Sequence, residues 1–343
     1  MLTRLSRAAG CLAGLALGDA LGTPTQPTLA LTRARYGLIR GFRAPDPDDP
    51  FGHAGLRAGQ ITDDTQAALA LVRAVISRRA FSVEIAAAGL LDWLDSINAA
   101  DSPYVGPSTK AAYQALRRGV PPTESGLGGA TNGAAMRVAP LGFLADEPAA
   151  VVRGAVWSAL PTHNSPNGLA GAAAVAGAVR AAASGQALPA VIAAAGEAAR
   201  QGAAWYAGPP LMAPAPDLGR RIAWAVSLTA GVTAGPDPAV WGSEVWRVLG
   251  EVYDLVGAGM AAHESVPAAL ALVSLAGGDS WTAALLAANL GGDGDTIGAM
   301  AGAIGGALGG IESLPAEAVA TLEAVNGLDF RKLARDYLEA VNG

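Results

Sequence analysis

The 343-residue chain is poor in cysteine and lysine, and each shortage excludes a class of protein. Its one cysteine, Cys11, excludes an intramolecular disulfide framework and a cysteine-rich zinc site. Only two of the 23 basic residues, Lys110 and Lys332, are lysines, and the net charge is −6. Because so few cations form no local basic patch, we exclude a nucleic-acid partner bound through its phosphates.

Charged residues make up only 15% of the chain and hydrophobic residues 51%, a balance that excludes disorder and raises the question of a membrane. The longest uncharged stretch, residues 154–179, is interrupted by prolines, asparagines and a histidine. Other apolar runs end after about sixteen residues and are rich in Ala and Gly, which partition weakly into a bilayer. No convincing cleavage site follows the N-terminal apolar stretch. We therefore expect a soluble cytoplasmic protein with no membrane partner.

Aromatic residues are scarce, at 5%, and the alternating pattern of a half-buried strand is nearly absent. Apolar residues recur instead at helical spacing, which predicts helices over residues 12–21, 67–75, 85–97, 172–182, 191–205, 222–232, 240–260, 266–275, 281–290 and 297–308. No fixed-period repeat and no long polar linker divides the chain. We predict one all-α domain over residues 1–343, with a mobile loop at 209–217.

Two acidic clusters precede apolar helices: the first cluster is Thr62-Asp63-Asp64-Thr65 and the second is Asp293-Gly294-Asp295-Thr296. Either cluster alone is explained about equally well as a helix cap. Capping needs only one such side chain, however, and adjacent carboxylates repel unless a hard cation neutralises them. Carboxylate and hydroxyl oxygens suit Mg²⁺, Mn²⁺ or Ca²⁺ rather than zinc. The clusters together therefore predict one metal site.

Other candidate segments have competing structural interpretations. Residues 257–262 fit a loose dinucleotide fingerprint, but they follow a helical pattern, so we interpret them as helix packing. Residues 126–133 could cradle a diphosphate or form a glycine-rich turn that caps a helix near Ala134. His163 could bind a ligand or be a satisfied loop histidine, and Asp19 suits a hydrogen-bonding role at a helix end as well as a catalytic one. The three histidines share no zinc-type spacing.

Six segments, in order along the chain, resemble the ADP-ribosylglycohydrolase family, which includes the dinitrogenase-reductase-activating glycohydrolase and the ADP-ribosyl-acceptor hydrolases. They are Gly10-Cys-Leu-Ala-Gly-Leu-Ala-Leu-Gly-Asp19-Ala-Leu-Gly22, Thr62-Asp-Asp-Thr65-Gln66, Asn132-Gly-Ala-Ala-Met136-Arg137-Val-Ala-Pro140, Thr162-His163, Glu264-Ser-Val-Pro-Ala-Ala-Leu270 and Gly291-Gly-Asp293-Gly-Asp295-Thr296. The resemblance implies a compact, single-domain orthogonal helical bundle that binds two divalent ions, Mg²⁺ or Mn²⁺.

The resemblance also implies roles for individual residues. The metal ligands would be Thr62, Asp63, Asp64, Asp293, Asp295 and Thr296, with Asp295 bridging the two ions. The substrate would be bound by Gly129, Ala130, Thr131, Asn132, Gly133 and His163.

Gln26 departs from the family pattern. Many relatives carry a glutamate at this position, close to the metals. Since an amide cannot act as a general base, catalysis would depend on the metals and on Asp63, Asp64 or Asp293. We therefore expect Gln26 to modulate the reaction rather than to carry it.

The resemblance implies a metal-dependent hydrolase that cleaves the bond at C1 of the distal ribose of an ADP-ribosyl group. The partner would be an ADP-ribosylated protein or a small ADP-ribose conjugate, with arginine-linked ADP-ribose favoured over serine-linked or O-acetylated forms. The alternatives are an N-ribosyl hydrolase of a small nucleotide, a non-catalytic ADP-ribose sensor and a crystallin-like structural protein. The sequence predicts no oligomeric state.

Overall fold

The computed structural model describes residues 2–99, 102, 105–209 and 215–342, and these ranges form a helical protein. Apart from two isolated β-bridges, they contain no strand pairing, which confirms the all-α prediction. The helices are α1 (Arg4–Gly22), α2 (Leu29–Tyr36), α3 (Asp63–Arg78), α4 (Val83–Ser96), α5 (Pro107–Arg117), α6 (Gly133–Arg137), α7 (Pro148–His163), α8 (Pro166–Ala183), α9 (Leu188–Ala204), α10 (Leu218–Ser227), α11 (Ser243–Glu251), α12 (Ala262–Leu275), α13 (Ser280–Leu290), α14 (Gly294–Gly309), α15 (Ala316–Asn326) and α16 (Phe330–Asn342).

The core is formed by helices that are buried around nearly their whole circumference. In α8, α13 and α14 almost every residue is buried, and α1 is buried from Ala8 to its end. A helix that is apolar on all sides belongs in the interior, whereas an amphipathic helix covers it. The helix α16 is of the second kind, with Phe330, Tyr337 and Leu338 on its buried face.

The antiparallel helices α1 and α14 pack backbone against backbone. Their contact is formed by Gly10, Gly14 and Gly18 of α1 opposite Gly306, Gly302 and Gly298 of α14. A Cβ atom on Gly302 would lie 2.1 Å from the carbonyl oxygen of Gly14, and other positions along the contact are as tight. Only glycine allows this approach, and it brings Asp19, near the end of α1, beside the start of α14.

Several predicted elements need correction. The single helix predicted over 240–260 is wrong: α11 ends at Glu251, a π-helical turn follows at Val252–Val256, and Gly257 ends it with φ +99°. Of residues 257–262, all but Ala262, the first residue of α12, therefore form a loop rather than the expected helix packing. The helix α10 ends at Ser227, five residues before the predicted end. Helices α2, α5, α7, α15 and α16 were not predicted.

Two further expectations concern the surface of the molecule. Of the loop predicted at 209–217, residues 210–214 lie outside the described residues. In the part of the chain that the structure describes, no helix combines the length and hydropathy needed to cross a bilayer.

Candidate functional site

Asp19 fastens the first acidic cluster to the end of α1. Its carboxylate is fully buried and accepts hydrogen bonds from the backbone nitrogens of Thr62, at 3.0 Å, and Thr65, at 3.1 Å. The hydroxyls of the same two threonines donate to it at 2.8 and 2.5 Å. A carboxylate has about four acceptor sites, and these two N–H groups and two hydroxyls can occupy all of them. In this structure Asp19 therefore positions the start of α3.

The two acidic clusters lie around one cavity of about 90 Å³, although they are far apart in the sequence. The cavity is lined by Phe51, His53, Asp63, Asp64, Gly106, Pro107, Thr109, Thr131, Asn132, Gly133, Met136, Met260, Asp293, Asp295 and Thr296. Thr62 is not among these residues: it lies behind the wall, with its hydroxyl 3.1 Å from Asp64 Oδ2.

Helix capping does not explain the two clusters. Thr62 and Asp293 occupy the N-cap positions of α3 and α14, but neither side chain makes a capping hydrogen bond. The Thr62 hydroxyl contacts carboxylates instead, and Asp293 accepts a hydrogen bond from the Asn132 amide. Neither side chain therefore caps its helix: Thr62 contacts the carboxylates of Asp19 and Asp64 behind the wall, and Asp293 lines the cavity.

The carboxylates at the cavity are crowded together with few positively charged partners. Burial, followed by the nearby Asp295 charge, raises the pKa of Asp63 well above its usual range and that of Asp293 to about 8. Burial and then Asp19 raise the pKa of Asp64 in the same way. Among the described residues, the one ion-pair partner of this group is His53, which faces Asp295. Such a site favours a bound cation.

The donor set fits a hard divalent cation. In the described ranges, no three His, Cys, Asp or Glu side chains are already placed to hold a metal ion by themselves. However, threonine hydroxyls add oxygen donors here, and Asp64 Oδ1 is buried without a hydrogen-bond partner. A buried charged oxygen without a partner is costly, and a cation in the cavity would satisfy it.

His53 is a site residue that the sequence analysis missed. Its Nε2 lies 3.3 Å from Asp295 Oδ2, and its Nδ1 lies 3.3 Å from the carbonyl oxygen of Thr23. Asp49, whose side chain is buried, holds the loop by accepting from the backbone nitrogens of Phe51 and His53, both at 3.0 Å. No sequence spacing predicts that His53 lies at the site, because its contact with Asp295 forms only when the loop packs against α14.

The segment predicted to bind substrate divides between two surfaces. Thr131, Asn132 and Gly133 line the cavity with the carboxylates. Gly129 lines a neighbouring surface cavity of about 320 Å³, and Ala130 lines neither, its carbonyl oxygen accepting from the Ala262 nitrogen at 3.2 Å. A helix, α6, does begin at Gly133, beside the predicted start near Ala134.

His163 ends helix α7 and has no exposed surface, with a relative exposure of 0%. Its ring is hydrogen-bonded to Thr162 and Thr131, and it is not among the residues that line the cavity. Cβ atoms on Gly129 or Gly133 would lie within 3 Å of it, so these glycines allow close packing around the histidine. Direct contact of His163 with substrate stays a prediction, and the geometry favours an indirect role through Thr131.

The loop at 257–261 joins the two walls of the cavity. The Ala258 carbonyl accepts from the Asp293 nitrogen at 2.7 Å, and the Met260 carbonyl accepts from the Asn132 nitrogen at 2.8 Å. The Met260 side chain, 53% exposed, lies at the cavity. This contribution was hidden in the sequence because a helix was predicted through the segment.

Gln26 meets the site through its backbone. Its carbonyl oxygen accepts from the Gly292 nitrogen at 2.9 Å, next to Asp293, and its nitrogen donates to the Thr32 hydroxyl at 3.0 Å. Its half-buried side chain is not among the residues that line the cavity. Modulation by this side chain therefore stays a prediction.

Comparisons with known proteins identify the family of the chain. The family model described as ADP-ribosylglycohydrolase matches residues 1–343. The chain is 35% identical over 335 residues to an uncharacterized protein, YegU, of Escherichia coli (strain K12), covering 96% of each chain. It is 32% identical over 163 residues to the ADP-ribosyl-[dinitrogen reductase] glycohydrolase of Rhodospirillum rubrum, which covers 47% of this chain and 52% of that one.

A solved structure titled "ADP-ribosylglycohydrolase-related protein complex" has the same fold, with a TM-score of 0.68. It is 24% identical and the alignment covers 98% of this chain and 99% of that one. Members of the family are hydrolases that act on glycosyl bonds and are generally metal-dependent. The chain belongs to the ADP-ribosylglycohydrolase family.

Proposed function

We propose that the chain removes ADP-ribose from a modified acceptor by cleaving the bond at C1 of the distal ribose, and that arginine-linked ADP-ribose is the preferred substrate. The observation that carries the proposal is the convergence of both acidic clusters and Asn132 on one cavity. An anomeric carbon that develops positive charge needs carboxylates close by, and this cavity concentrates them.

The proposal includes two divalent ions, Mg²⁺ or Mn²⁺. The residues that would hold them are Thr62, Asp63, Asp64, Asp293, Asp295 and Thr296. When bound, such ions would neutralise the buried carboxylates, orient sugar hydroxyls and acidify water. The fit rests on the oxygen-only donor set and on the unpartnered Asp64 Oδ1.

The chain's own carboxylates have distinct parts in the proposed reaction. Water adds to C1 as the bond from C1 to the acceptor nitrogen breaks, and the acceptor leaves with a proton. Asp63, Asp64 and Asp293 are the candidates to stabilise the cationic sugar and to take the proton that the water loses. Asn132 donates to Asp293 Oδ2, which holds that carboxylate in place at the cavity.

The test is a substrate panel assayed with Mg²⁺, with Mn²⁺ and with a chelator. The panel contains an ADP-ribosyl-arginine peptide, an ADP-ribosyl-serine peptide, O-acetyl-ADP-ribose and a small nucleotide such as nicotinamide mononucleotide. We expect metal-dependent release of ADP-ribose from the arginine peptide, lost in Asp293→Asn and kept in Asp254→Asn, a matched change of an exposed aspartate. Release of a base from the nucleotide alone would favour the N-ribosyl hydrolase.

A second candidate function, an ADP-ribose sensor without turnover, is favoured by Gln26, an amide at a position where the family resemblance implies a carboxylate. In calorimetric titrations, ADP-ribose binding by a protein that cleaves no member of the panel would select the sensor. If the protein neither binds ADP-ribose nor cleaves any member of the panel, both functions are refuted.

A further inference from the structure

A chain of four hydrogen-bonded side chains leads from a buried arginine to the cavity. Arg137 Nη2 lies 2.6 Å from Thr162 Oγ1, and the same oxygen lies 2.7 Å from His163 Nδ1. On the other side of the ring, His163 Nε2 lies 2.8 Å from Thr131 Oγ1. Thr131 lines the cavity, whereas the other three residues are buried behind it.

The first donor fixes the direction of the whole chain. A guanidinium group has hydrogens and no acceptor, so Arg137 donates to the Thr162 hydroxyl. In the described part of the chain, the two partners of that hydroxyl are Arg137 and His163, and its own hydrogen is therefore directed to His163 Nδ1. A neutral imidazole that accepts at Nδ1 carries its hydrogen on Nε2.

The neutral ring is supported by its surroundings. Burial, and then the charge of Arg137, hold the pKa of His163 well below its usual range. Burial lowers the pKa of Arg137 to about 9, which leaves the arginine charged at neutral pH. Its remaining bonds go to neutral carbonyl oxygens, those of Gly133 at 2.9 Å and Ser158 at 2.8 Å.

We propose that Arg137 is a positioning residue that acts through Thr162 and His163 to make the Thr131 hydroxyl a hydrogen-bond donor toward the cavity. Because His163 Nε2–H occupies an acceptor position of Thr131 Oγ1, the threonine's own hydrogen is free to point away. In the structure it is directed at Ser108 Oγ over 3.3 Å, a long bond for two hydroxyls. A ligand oxygen in the cavity would replace this weak partner.

The arrangement selects the chemistry of the ligand atom at this wall. Thr131 would favour an acceptor oxygen, such as a phosphate or ether oxygen, and disfavour a group that can only donate. For an ADP-ribosyl ligand this inference rests on the proposed function, since the same cavity is involved. The hydrogen-bond direction itself does not depend on the identity of the ligand.

The direction is tested first in the ligand-free protein by long-range ¹H–¹⁵N NMR of histidine-labelled samples. The chain has three histidines, and His53→Gln and His263→Gln assign the signals of His163. We expect Nδ1 to show the shift of an unprotonated nitrogen and Nε2 that of a protonated one. The opposite pattern, or a doubly protonated ring, would overturn the proposal.

The effect on a ligand is tested by a double-mutant cycle with ADP-ribose as the probe, in calorimetric titrations at saturating Mg²⁺. Thr131→Val and Thr162→Val are each expected to weaken binding by roughly 10-fold, the loss of one hydrogen bond to a charged acceptor. In the Thr131→Val background, Thr162→Val should add nothing, because the hydroxyl that it orients is absent. Thr162→Ser should restore binding.

A matched control separates this role from a loss of structure. Thr229→Val removes a buried threonine hydroxyl outside the cavity, bonded to Val226 and Ser274, and should leave binding unchanged. If Thr162→Val weakens ADP-ribose binding equally in both backgrounds, Thr162 has only a structural role. The proposed orientation of the Thr131 hydroxyl through Thr162 and His163 would then be refuted. If the unmodified protein binds no ADP-ribose, the proposed function fails. The NMR experiment still tests the proposed hydrogen-bond direction, because it reports which nitrogen of His163 carries the hydrogen.

Discussion

Replacing Gly302 with alanine tests the packing on which the site is built. The added Cβ would lie 2.1 Å from the Gly14 carbonyl oxygen and 2.9 Å from the Gly14 carbonyl carbon. Both are backbone atoms, so no side chain can rotate away. To reach an ordinary contact of at least 3.4 Å, the helices α1 and α14 must separate by about 1 Å or more, against a core packed at crystal-like density.

Two opposing terms set the expected size of the effect. Forcing an extra carbon into a packed core costs about 1–3 kcal/mol, and a backbone clash belongs at the upper end or beyond it. Replacing a helical glycine with alanine recovers about 1 kcal/mol of helix propensity. We therefore expect Gly302→Ala to lower the free energy of unfolding by about 2 kcal/mol.

The matched control is Gly250→Ala in helix α11, where a Cβ would meet nothing within 4 Å. This variant gains the propensity without a clash, so its free energy of unfolding should rise by about 0.5–1 kcal/mol. Urea denaturation followed by circular dichroism measures both changes, provided that the slopes agree. If Gly302→Ala is as stable as the unmodified protein or more stable, the backbone contact between α1 and α14 is not as close as described.

Three further predictions concern the proposed metals and Gln26. A chelator should lower the Tm by several degrees in thermal denaturation, since a metal at 100 times its Kd stabilises by about 2.7 kcal/mol; identical melting curves would contradict a preformed site. Asp293→Ala and Asp295→Ala should each abolish Mg²⁺ binding in calorimetric titrations with helical content kept, and unchanged affinity in both would remove the clusters from the metal site. Gln26→Glu should raise kcat, with about 10²–10⁴-fold as the usual range for acid–base help, and affect ADP-ribose affinity less. If kcat and metal affinity are both unchanged, Gln26 lies outside the reaction.

Helices with strong apolar periodicity were predictable from the sequence because they are the helices that are most deeply buried. The predicted segments 281–290 and 297–308 lie within α13 and α14, whose burial leaves a continuous apolar pattern. Helices at the surface were missed because their patterns are short or mixed with polar residues, as in α2 and α5. The prediction through 240–260 failed because periodicity does not register the Gly257 turn, where a positive φ ends the helix.

The composition of the candidate site was predictable in part. Clustered carboxylates in two segments indicated a cation site, and both segments lie at the cavity. His53 and Met260 could not be found in the same way, since each reaches the cavity from a loop whose position depends on tertiary packing. The glycines at 126–133 indicated a ligand loop, but Gly126 and Gly129 pack against the end of α7, where their Cβ atoms would meet its backbone within 3 Å.

The convergence of the two acidic clusters did have a signal in the sequence, in the spacing of glycines. Gly10, Gly14 and Gly18 recur every four residues in α1, and Gly298, Gly302 and Gly306 do so in α14. Residues four apart lie on one face of a helix, so two such faces can approach until their backbones touch. An antiparallel contact of this kind aligns Gly18 with Gly298. Asp19 is thereby placed beside the first turn of helix α14, which contains Asp295. Because Asp19 in turn binds Thr62 and Thr65, the glycine contact brings the first cluster to the second.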